Sequence, residues 1–141
     1  MSYEIIEQFN ADQIQDLREL YKLSWWGNDR EIPDIKIMLD NSDINLGICE
    51  KQSQKLVGFT RVLTDYIYRA TLWDVMVAPN YQKQGLGSQL MNEILHHSKL
   101  KNVEVFILIC LPDMIPYYEK FGFTNHDGKY QFMTCDGTVS Y

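Results

Sequence analysis

The 141-residue sequence predicts an α/β fold whose elements follow the order β-αα-βββ-α-β-α-β. Residues 71–77 form a β-branched, aromatic run, and a glycine turn and helically spaced apolar residues follow it. Residues 103–110 are almost continuously apolar, as in a parallel strand buried on both faces. With 45% hydrophobic residues, the chain is expected to form one domain over residues 1–141.

The first half of the chain is predicted as a strand, two helices and a hairpin. Residues 3–9 alternate as a strand does, and Asn10 or Asp12 can cap the helix that follows. The apolar stripe of this helix consists of Ile14, Leu17, Leu20 and Tyr21. Pro33 opens a second helix. A short polar connection then favours a hairpin of Ile44–Glu50 with Leu56–Thr64.

The second half alternates strands and helices. Residues 70–77 are predicted as the central strand, which Pro79 ends. A helix begins at the glycines, with apolar residues at Leu86, Leu90, Met91, Ile94 and Leu95. After the strand at 103–110, Pro112 or Pro116 starts a last helix that Gly122 ends, and residues 130–135 form the final strand.

The glycine turn has the features of a pyrophosphate cradle. Gly85 and Gly87 lack the Cβ atoms that would keep a ligand away from the backbone. The first turn of the next helix offers unpaired N–H groups and the positive end of the helix dipole. The turn lacks the third glycine of a dinucleotide-binding fingerprint and the Gly-Lys-Ser/Thr of a Walker loop.

Two motifs resemble the GCN5-related N-acetyltransferase (GNAT) superfamily. Gln82-Lys83-Gln84-Gly85-Leu86-Gly87 is similar to its Gln/Arg-x-x-Gly-x-Gly/Ala signature, and Tyr117-Tyr118-Glu119-Lys120-Phe121-Gly122-Phe123 is similar to its Tyr-Glu-Lys-x-Gly-Phe block. The resemblance implies a central mixed, twisted sheet of about six strands with helices on both faces. It also implies acetyl-CoA as co-substrate, with no metal.

The resemblance assigns cofactor contacts to two segments. Backbone amides from Gln84 to Ser88, together with Gln82 and Lys83 of the motif, would hold the pyrophosphate. The backbone of Val75, Met76 and Val77 would pair with the pantetheine arm like an added strand. A strand N–H near Met76 or Val77 would stabilise the oxyanion.

Tyr118 and Asp74 are the candidate catalytic residues. By resemblance Tyr118 is the general acid that protonates the departing thiolate, whereas Tyr117 is expected to be a core aromatic. A carboxylate within an apolar strand needs a partner or a function. Asp74 is therefore a candidate to deprotonate or anchor an ammonium, and the alternative is a structural bond to a turn N–H, Arg69 or Arg61.

Three tryptophans are candidates for acceptor binding. The segment from Ala70 to Val77 is similar to the strand of plastid and cyanobacterial serotonin N-acetyltransferases, in which the Trp-Asp pair, here Trp73 and Asp74, is implicated in acceptor handling. A regular strand places these two side chains on opposite faces, and a bulge could bring them together. One of Trp25 and Trp26 is expected in the core, the other in the wall of an acceptor pocket.

Charge and composition limit the partners. Residues 1–45 hold ten acidic and four basic side chains, whereas residues 46–141 hold nine of each. An acidic N-terminal third would attract a cationic amine and repel nucleic acid. No apolar stretch approaches 20 residues, so that no membrane association and a cytoplasmic location are expected. The sequence leaves a homodimer open.

The predicted function is acetyl transfer to a primary amine, on a small molecule or a protein lysine, by direct attack in a ternary complex. The alternatives are a catalytically silent CoA-binding module and an N-acyltransferase that uses another acyl-CoA. Cofactor binding without turnover would favour the silent module.

Overall fold

The computed structural model describes residues 2–137, which divide into two compact units. The first unit extends to Ile109 and the second begins at Cys110. The first contains the strands β1 (Tyr3–Ile6), β2 (Ile44–Glu50), β3 (Leu56–Thr64), β4 (Arg69–Val77) and β5 (Val105–Ile107), with the helices α1 (Ala11–Lys22), α2 (Ile32–Asn41) and α3 (Leu86–Leu95). The second contains α4 (Ile115–Glu119).

The five strands form one mixed sheet in the order β1-β2-β3-β4-β5. The first three pairings are antiparallel, and β4 pairs with β5 in parallel. The predicted mixed sheet is confirmed, with five strands rather than about six among the described residues. The predicted hairpin has the expected bounds.

The first two helices cover one face of the sheet. Asn10 caps α1 through a capping box with Gln13, which satisfies backbone groups at both positions. The predicted stripe faces inward, with Leu17, Leu20 and Tyr21 buried. These residues pack with Ile35 of α2 and Phe59 of β3 in one apolar cluster. This packing fixes α1 and α2 over the side of the sheet on which Phe59 lies.

The glycine-initiated helix α3 covers the opposite face. Leu86, Leu90, Met91 and Ile94 are all buried, as the predicted apolar spacing requires. A Cβ added at Gly58 would lie 3.4 Å from Leu90 Cδ1, whereas the next residue, Phe59, packs beneath α1. Because neighbouring side chains of a strand point to opposite faces, the sheet has helices on both sides.

The parallel edge is shorter than predicted. Of residues 103–110 only Val105–Ile107 form a strand, and the side chains of Val105 and Ile107 are exposed. The expectation of a fully buried strand over residues 103–110 is therefore wrong. The β4–β5 ladder pairs Arg69 with Val105 and ends where Thr71 pairs with Ile107.

The second unit is short and mostly irregular. A 3₁₀ turn at Pro112–Met114 leads into α4, and Gly122 follows the helix with φ +93°, as the predicted terminator should. The predicted strand over residues 130–135 is wrong, since Tyr130 and Phe132 are exposed in irregular backbone. An apolar pattern makes a strand only where another strand offers hydrogen bonds. Among residues 2–137 no helix is both long and apolar enough to cross a membrane.

Candidate functional site

The central strand β4 contains a bulge at Asp74. Across the β3–β4 ladder Phe59 is opposite Met76 and Arg61 is opposite Trp73, so that β4 has one residue more than β3 between these pairs. Asp74 has φ +58°, a left-handed conformation that costs a non-glycine residue about 1–2 kcal/mol. The surrounding contacts must therefore hold this residue in place.

Three donors converge on one oxygen of Asp74. The hydroxyl of Tyr21 donates to Oδ2 at 2.7 Å, Arg61 Nε at 2.8 Å and Arg30 Nη1 at 3.0 Å. The Asp74 side chain is only 6% exposed. Burial, followed by the Asp74 carboxylate, raises the pKa of Tyr21 far above its ordinary value, so this phenol stays protonated and donates. Asp74 thus connects α1, the α1–α2 connection and β3 to the bulge.

The α1–α2 connection is ordered by aromatic contacts with Arg30. The guanidinium carbon of Arg30 lies 4.7 Å from the ring centroid of Tyr21 and 5.3 Å from that of Trp26. Trp26 packs edge-to-face on Tyr21 and is 39% exposed, and Trp25 is 74% exposed. The expectation that one of the two tryptophans lies in the core is wrong, because Tyr21 and Leu17 already fill the core beneath this connection.

The bulge brings Trp73 and Asp74 to the same face of the sheet. Trp73 is directly opposite Arg61, and residues paired in this way share a face. Asp74 bonds to the guanidinium of Arg61, so its side chain reaches the same side. The indole N–H of Trp73 donates to Thr71 Oγ1 at 3.0 Å.

Sequence reasoning identified one of the three partners of Asp74. The predicted partner Arg61 forms the ion pair, whereas Nη1 of the other predicted arginine, Arg69, lies 3.7 Å from Glu104 Oε1. The sequence predicts Tyr21 only as a core residue and gives no indication of Arg30 as a partner. The one available signal was the need of a buried carboxylate for positive partners, which does not specify where in the chain they come from.

The glycine turn presents a run of unpaired amides. Lys83 and Gly85 both have positive φ, at +64° and +83°, a pattern that gathers successive N–H groups into an anion-binding concavity. From Lys83 to Ser88 no backbone N–H has an acceptor within residues 2–137. A Cβ added at Gly85 would meet nothing within 4 Å. The backbone is therefore open to a ligand at this point.

The side chains of two glutamines in the motif attach the turn to two strands of the sheet. Gln82 Nε2 donates to the carbonyl oxygen of Val77 at 3.0 Å, which ties the turn to the end of β4. Gln84 Oε1 accepts from the hydroxyl of Tyr3 at 3.0 Å, which ties it to β1. The amides of Gly87 and Ser88 belong to the first turn of α3, where the positive end of the helix dipole adds to their effect.

The β5-facing edge of β4 is open beyond Thr71. Val77 and Met76 pair with β3 on the other side, but the parallel ladder with β5 has already ended. Across the described part of the chain, Val75, Met76 and Val77 thus have a strand neighbour on one side only. An extended ligand arm could pair with this edge, as strand addition requires.

Tyr118 lies in α4 of the second unit. Its ring contacts Tyr117 and Phe123 edge-to-face, with centroid separations of 5.1 and 6.2 Å. Burial, with smaller effects of Tyr117 and Cys110, raises the pKa of Tyr118 to about 12. The phenol therefore stays protonated at neutral pH. That Tyr118 approaches the glycine turn or Asp74 stays a prediction.

Comparisons with known proteins identify relatives over most of the chain. Residues 11–123 match the Acetyltransferase (GNAT) family. An uncharacterized N-acetyltransferase ycf52 of Gracilaria tenuistipitata var. liui is 33% identical over 118 residues, covering 82% of this chain and 64% of that protein. A ycf52-like relative in Prochlorococcus marinus is 33% identical over 85% of this chain and 67% of its own length. The chain thus spans about two-thirds of these curated relatives.

Solved structures share the fold. A putative acetyltransferase of the GNAT family from Xanthomonas campestris superimposes with a TM-score of 0.81 at 24% identity, over 100% of this chain and 99% of that one. The glucosamine-6-phosphate N-acetyltransferase of Arabidopsis thaliana superimposes with a TM-score of 0.75 at 17% identity, over 99% and 100%. At these identities the comparisons describe the fold alone.

Proposed function

The chain belongs to the GNAT family of acetyltransferases, and we propose that it transfers the acetyl group of acetyl-CoA to a primary amine by direct attack in a ternary complex. The observation that carries this proposal is the run of unpaired amides from Lys83 to Ser88 beside the open space at Gly85. These groups suit a pyrophosphate, which needs several N–H donors and close approach to the backbone.

The glycine turn and the end of β4 would each bind a different part of the co-substrate. Amides of Gln84 to Ser88 would bind the pyrophosphate, and Gln82 would keep them aligned with the end of β4. The open edge formed by Val75, Met76 and Val77 would pair with the pantetheine arm, so that the thioester comes to lie beside β4. What acetyl-CoA supplies is an acetyl group already activated as a thioester.

The proposed transfer needs one proton donor for the thiolate and an amine in its neutral form. The amine nitrogen attacks the thioester carbonyl carbon, a C–N bond forms, and the C–S bond breaks. A strand N–H near Met76 or Val77 would donate to the carbonyl oxygen as it gains charge. The thiolate leaves and takes a proton from the Tyr118 hydroxyl, the attacking nitrogen loses one proton to solvent, and the Tyr118 phenolate regains one from solvent.

The pKa of Tyr118 constrains how this proton moves. Complete transfer from a phenol of pKa about 12 to an ordinary thiolate of pKa about 8.5 is uphill by about 5 kcal/mol. A stepwise transfer after the thiolate has formed would therefore be slow. We infer that the proton moves as the C–S bond breaks, when the sulfur is held by the site and not yet stabilised by water.

The acceptor side would be formed around the Asp74 bulge. Trp25 and Trp26 stand exposed on the α1–α2 connection, and Trp73 lies on the face reached by Asp74. Aromatic walls of this kind suit the apolar part of an amine. Both a small molecule and a protein lysine fit these observations as acceptors, and the acidic N-terminal third would attract either one as a cation.

A panel of amines with acetyl-CoA, assayed by release of the CoA thiol, tests this proposal. We expect amine-dependent thiol release with at least one primary amine, and formation of the N-acetyl product by mass spectrometry. Propionyl-CoA and succinyl-CoA in parallel assays would reveal a preference for another acyl group. CoA binding by calorimetry without turnover on any amine would contradict the enzyme and support a silent CoA-binding module.

A further inference from the structure

The ionic cluster around Asp74 has more positive than negative charge. Arg30 and Arg61 contribute two guanidinium groups, and Asp74 contributes one carboxylate. Within residues 2–137 no second carboxylate forms an ion pair with either arginine, since the nearby Glu31 is bound to Arg18 at 2.8 Å. One positive charge of this cluster is therefore left for a ligand.

The surplus charge lies on the solvent side of the cluster. The side chains of Arg30 and Arg61 are 32% and 14% exposed, more than the 6% of Asp74. Among the described residues, Arg30 Nε and Nη2 and Arg61 Nη2 have no acceptor. A molecule that reaches the cluster from solvent would find guanidinium donors that no other described group occupies.

The surroundings hold Arg30 rigidly enough to select a ligand. Its guanidinium carbon lies within cation–π distance of the rings of Tyr21 and Trp26, and its Nη1 donates to Asp74. A guanidinium fixed in this way presents a planar fork of donors, which matches the two oxygens of a carboxylate. Less rotamer entropy is lost on binding, because the protein has already ordered the side chain.

The cluster around Asp74 lies next to the strand segment at which the proposed acetyl transfer would take place. Asp74 immediately precedes the segment from Val75 to Val77, which spans about 7 Å at the rise of a β-strand and would carry the thioester. We propose that the acceptor is an amino-carboxylate, with its carboxylate a few bonds from the reacting amine, and that Arg30 and Arg61 bind this carboxylate. The inference rests on the proposed acetyl transfer and adds the substrate class.

Matched acceptors test this substrate class without any substitution. L-Phenylalanine is compared with phenethylamine, and γ-aminobutyrate with butylamine, with rates referred to the concentration of free amine. We expect kcat/KM to be about tenfold higher for the carboxylated member of at least one pair, and the difference to shrink at high salt. Equal or lower values for both carboxylated members would overturn the inference, while turnover of the plain amines would leave the proposed function intact.

Binding of the products gives a readout that needs no turnover. N-Acetylphenylalanine and N-acetylphenethylamine are titrated into the protein, with and without CoA, by calorimetry. We expect the carboxylated compound to bind about tenfold more tightly, and Arg30→Met to remove most of that difference. Arg18→Met is the matched control, because Arg18 pairs with Glu31 and has no bond to Asp74. A preference that survives Arg30→Met, or one that disappears equally in Arg18→Met, would overturn the assignment.

Discussion

Arg61 Nε lies 2.8 Å from Asp74 Oδ2, and this ion pair joins two neighbouring strands at the point where their ladder is irregular. Arg61 neutralises a carboxylate that also binds Tyr21 of α1 and Arg30 of the α1–α2 connection. The same carboxylate belongs to the residue with positive φ at the centre of the bulge. The shape of β4 beside the proposed thioester site therefore depends on a charge network.

The hydrogen bond from Tyr21 to Asp74 is the first part of this network to test. Tyr21→Phe keeps the ring in the core but removes a donor to a buried carboxylate. We expect the free energy of unfolding to fall by about 1.5–3 kcal/mol, measured by urea denaturation. Tyr68→Phe is the control, since the Tyr68 ring is exposed and its hydroxyl has no partner among the described residues. Equal effects of the two changes would contradict the stabilising role.

The glycine turn is tested by adding side chains to it. Gly85→Val and Gly87→Val should each abolish CoA binding, because the added branches would occupy the space through which a pyrophosphate approaches the amides. At Gly85 this space is open. The fold should remain, with about 1–2 kcal/mol lost at Gly85 from its positive φ. Calorimetric titration with CoA measures the effect.

A matched glycine separates backbone strain from loss of the binding space. Gly128 has φ +79°, and a Cβ added there also meets nothing within 4 Å. Gly128→Val should therefore destabilise the protein about as much as Gly85→Val and leave CoA affinity unchanged. Near-normal CoA affinity in the folded Gly85→Val protein would remove the assignment of the cradle.

The sequence predicted those elements whose signals are local. The hairpin has the expected bounds because a polar turn separates two apolar strands, and α1 begins at one of the two proposed caps, Asn10. The strand over residues 130–135 failed because its apolar alternation gives no information on a neighbouring strand. The partners Tyr21 and Arg30 of Asp74 were missed for a similar reason, since they are brought to β4 by tertiary packing.

Tyr118→Phe tests the general acid. The change keeps the ring contacts with Tyr117 and Phe123 and deletes the proton donor. Acetyl transfer should fall by about 100-fold or more, with little change in CoA affinity. Tyr117→Phe, one residue earlier in α4, should have a much smaller effect because Tyr117 is expected only to pack. Unaltered turnover in Tyr118→Phe would make this residue a packing residue as well.

The pH dependence of the parent protein follows from the raised pKa of Tyr118. With a pKa of about 12, the phenol is still about 99% protonated at pH 10, so the acid remains functional there. A rise in pH meanwhile increases the fraction of neutral amine. The initial rate of acetyl transfer should therefore rise, and should not decline, between pH 8 and pH 10. A decline in this interval, with the far-UV circular dichroism unchanged, would contradict the assignment of Tyr118.

Asp74→Asn distinguishes three roles of the bulge carboxylate. If Asp74 were the base, the rate relative to the parent protein would fall at neutral pH and recover in part at high pH, where free amine no longer needs a base. If it anchored the ammonium of the acceptor, the acceptor KM would rise and alkali would not help. If it positions Arg30 and Arg61, the loss of its charge leaves two guanidinium groups near each other without a counter-charge.

We expect the positioning role, because Oδ2 of Asp74 already accepts from three donors and the side chain is almost inaccessible. Asp74→Asn should then lower the free energy of unfolding by about 3–5 kcal/mol. The rate should fall by a similar factor relative to the parent protein at every pH, because the geometry of the bulge has changed and not the supply of free amine. Arg61→Met should reproduce both effects in part, since it removes a partner from the same oxygen. A deficit relative to the parent protein that shrinks at high pH would instead show that Asp74 takes the proton.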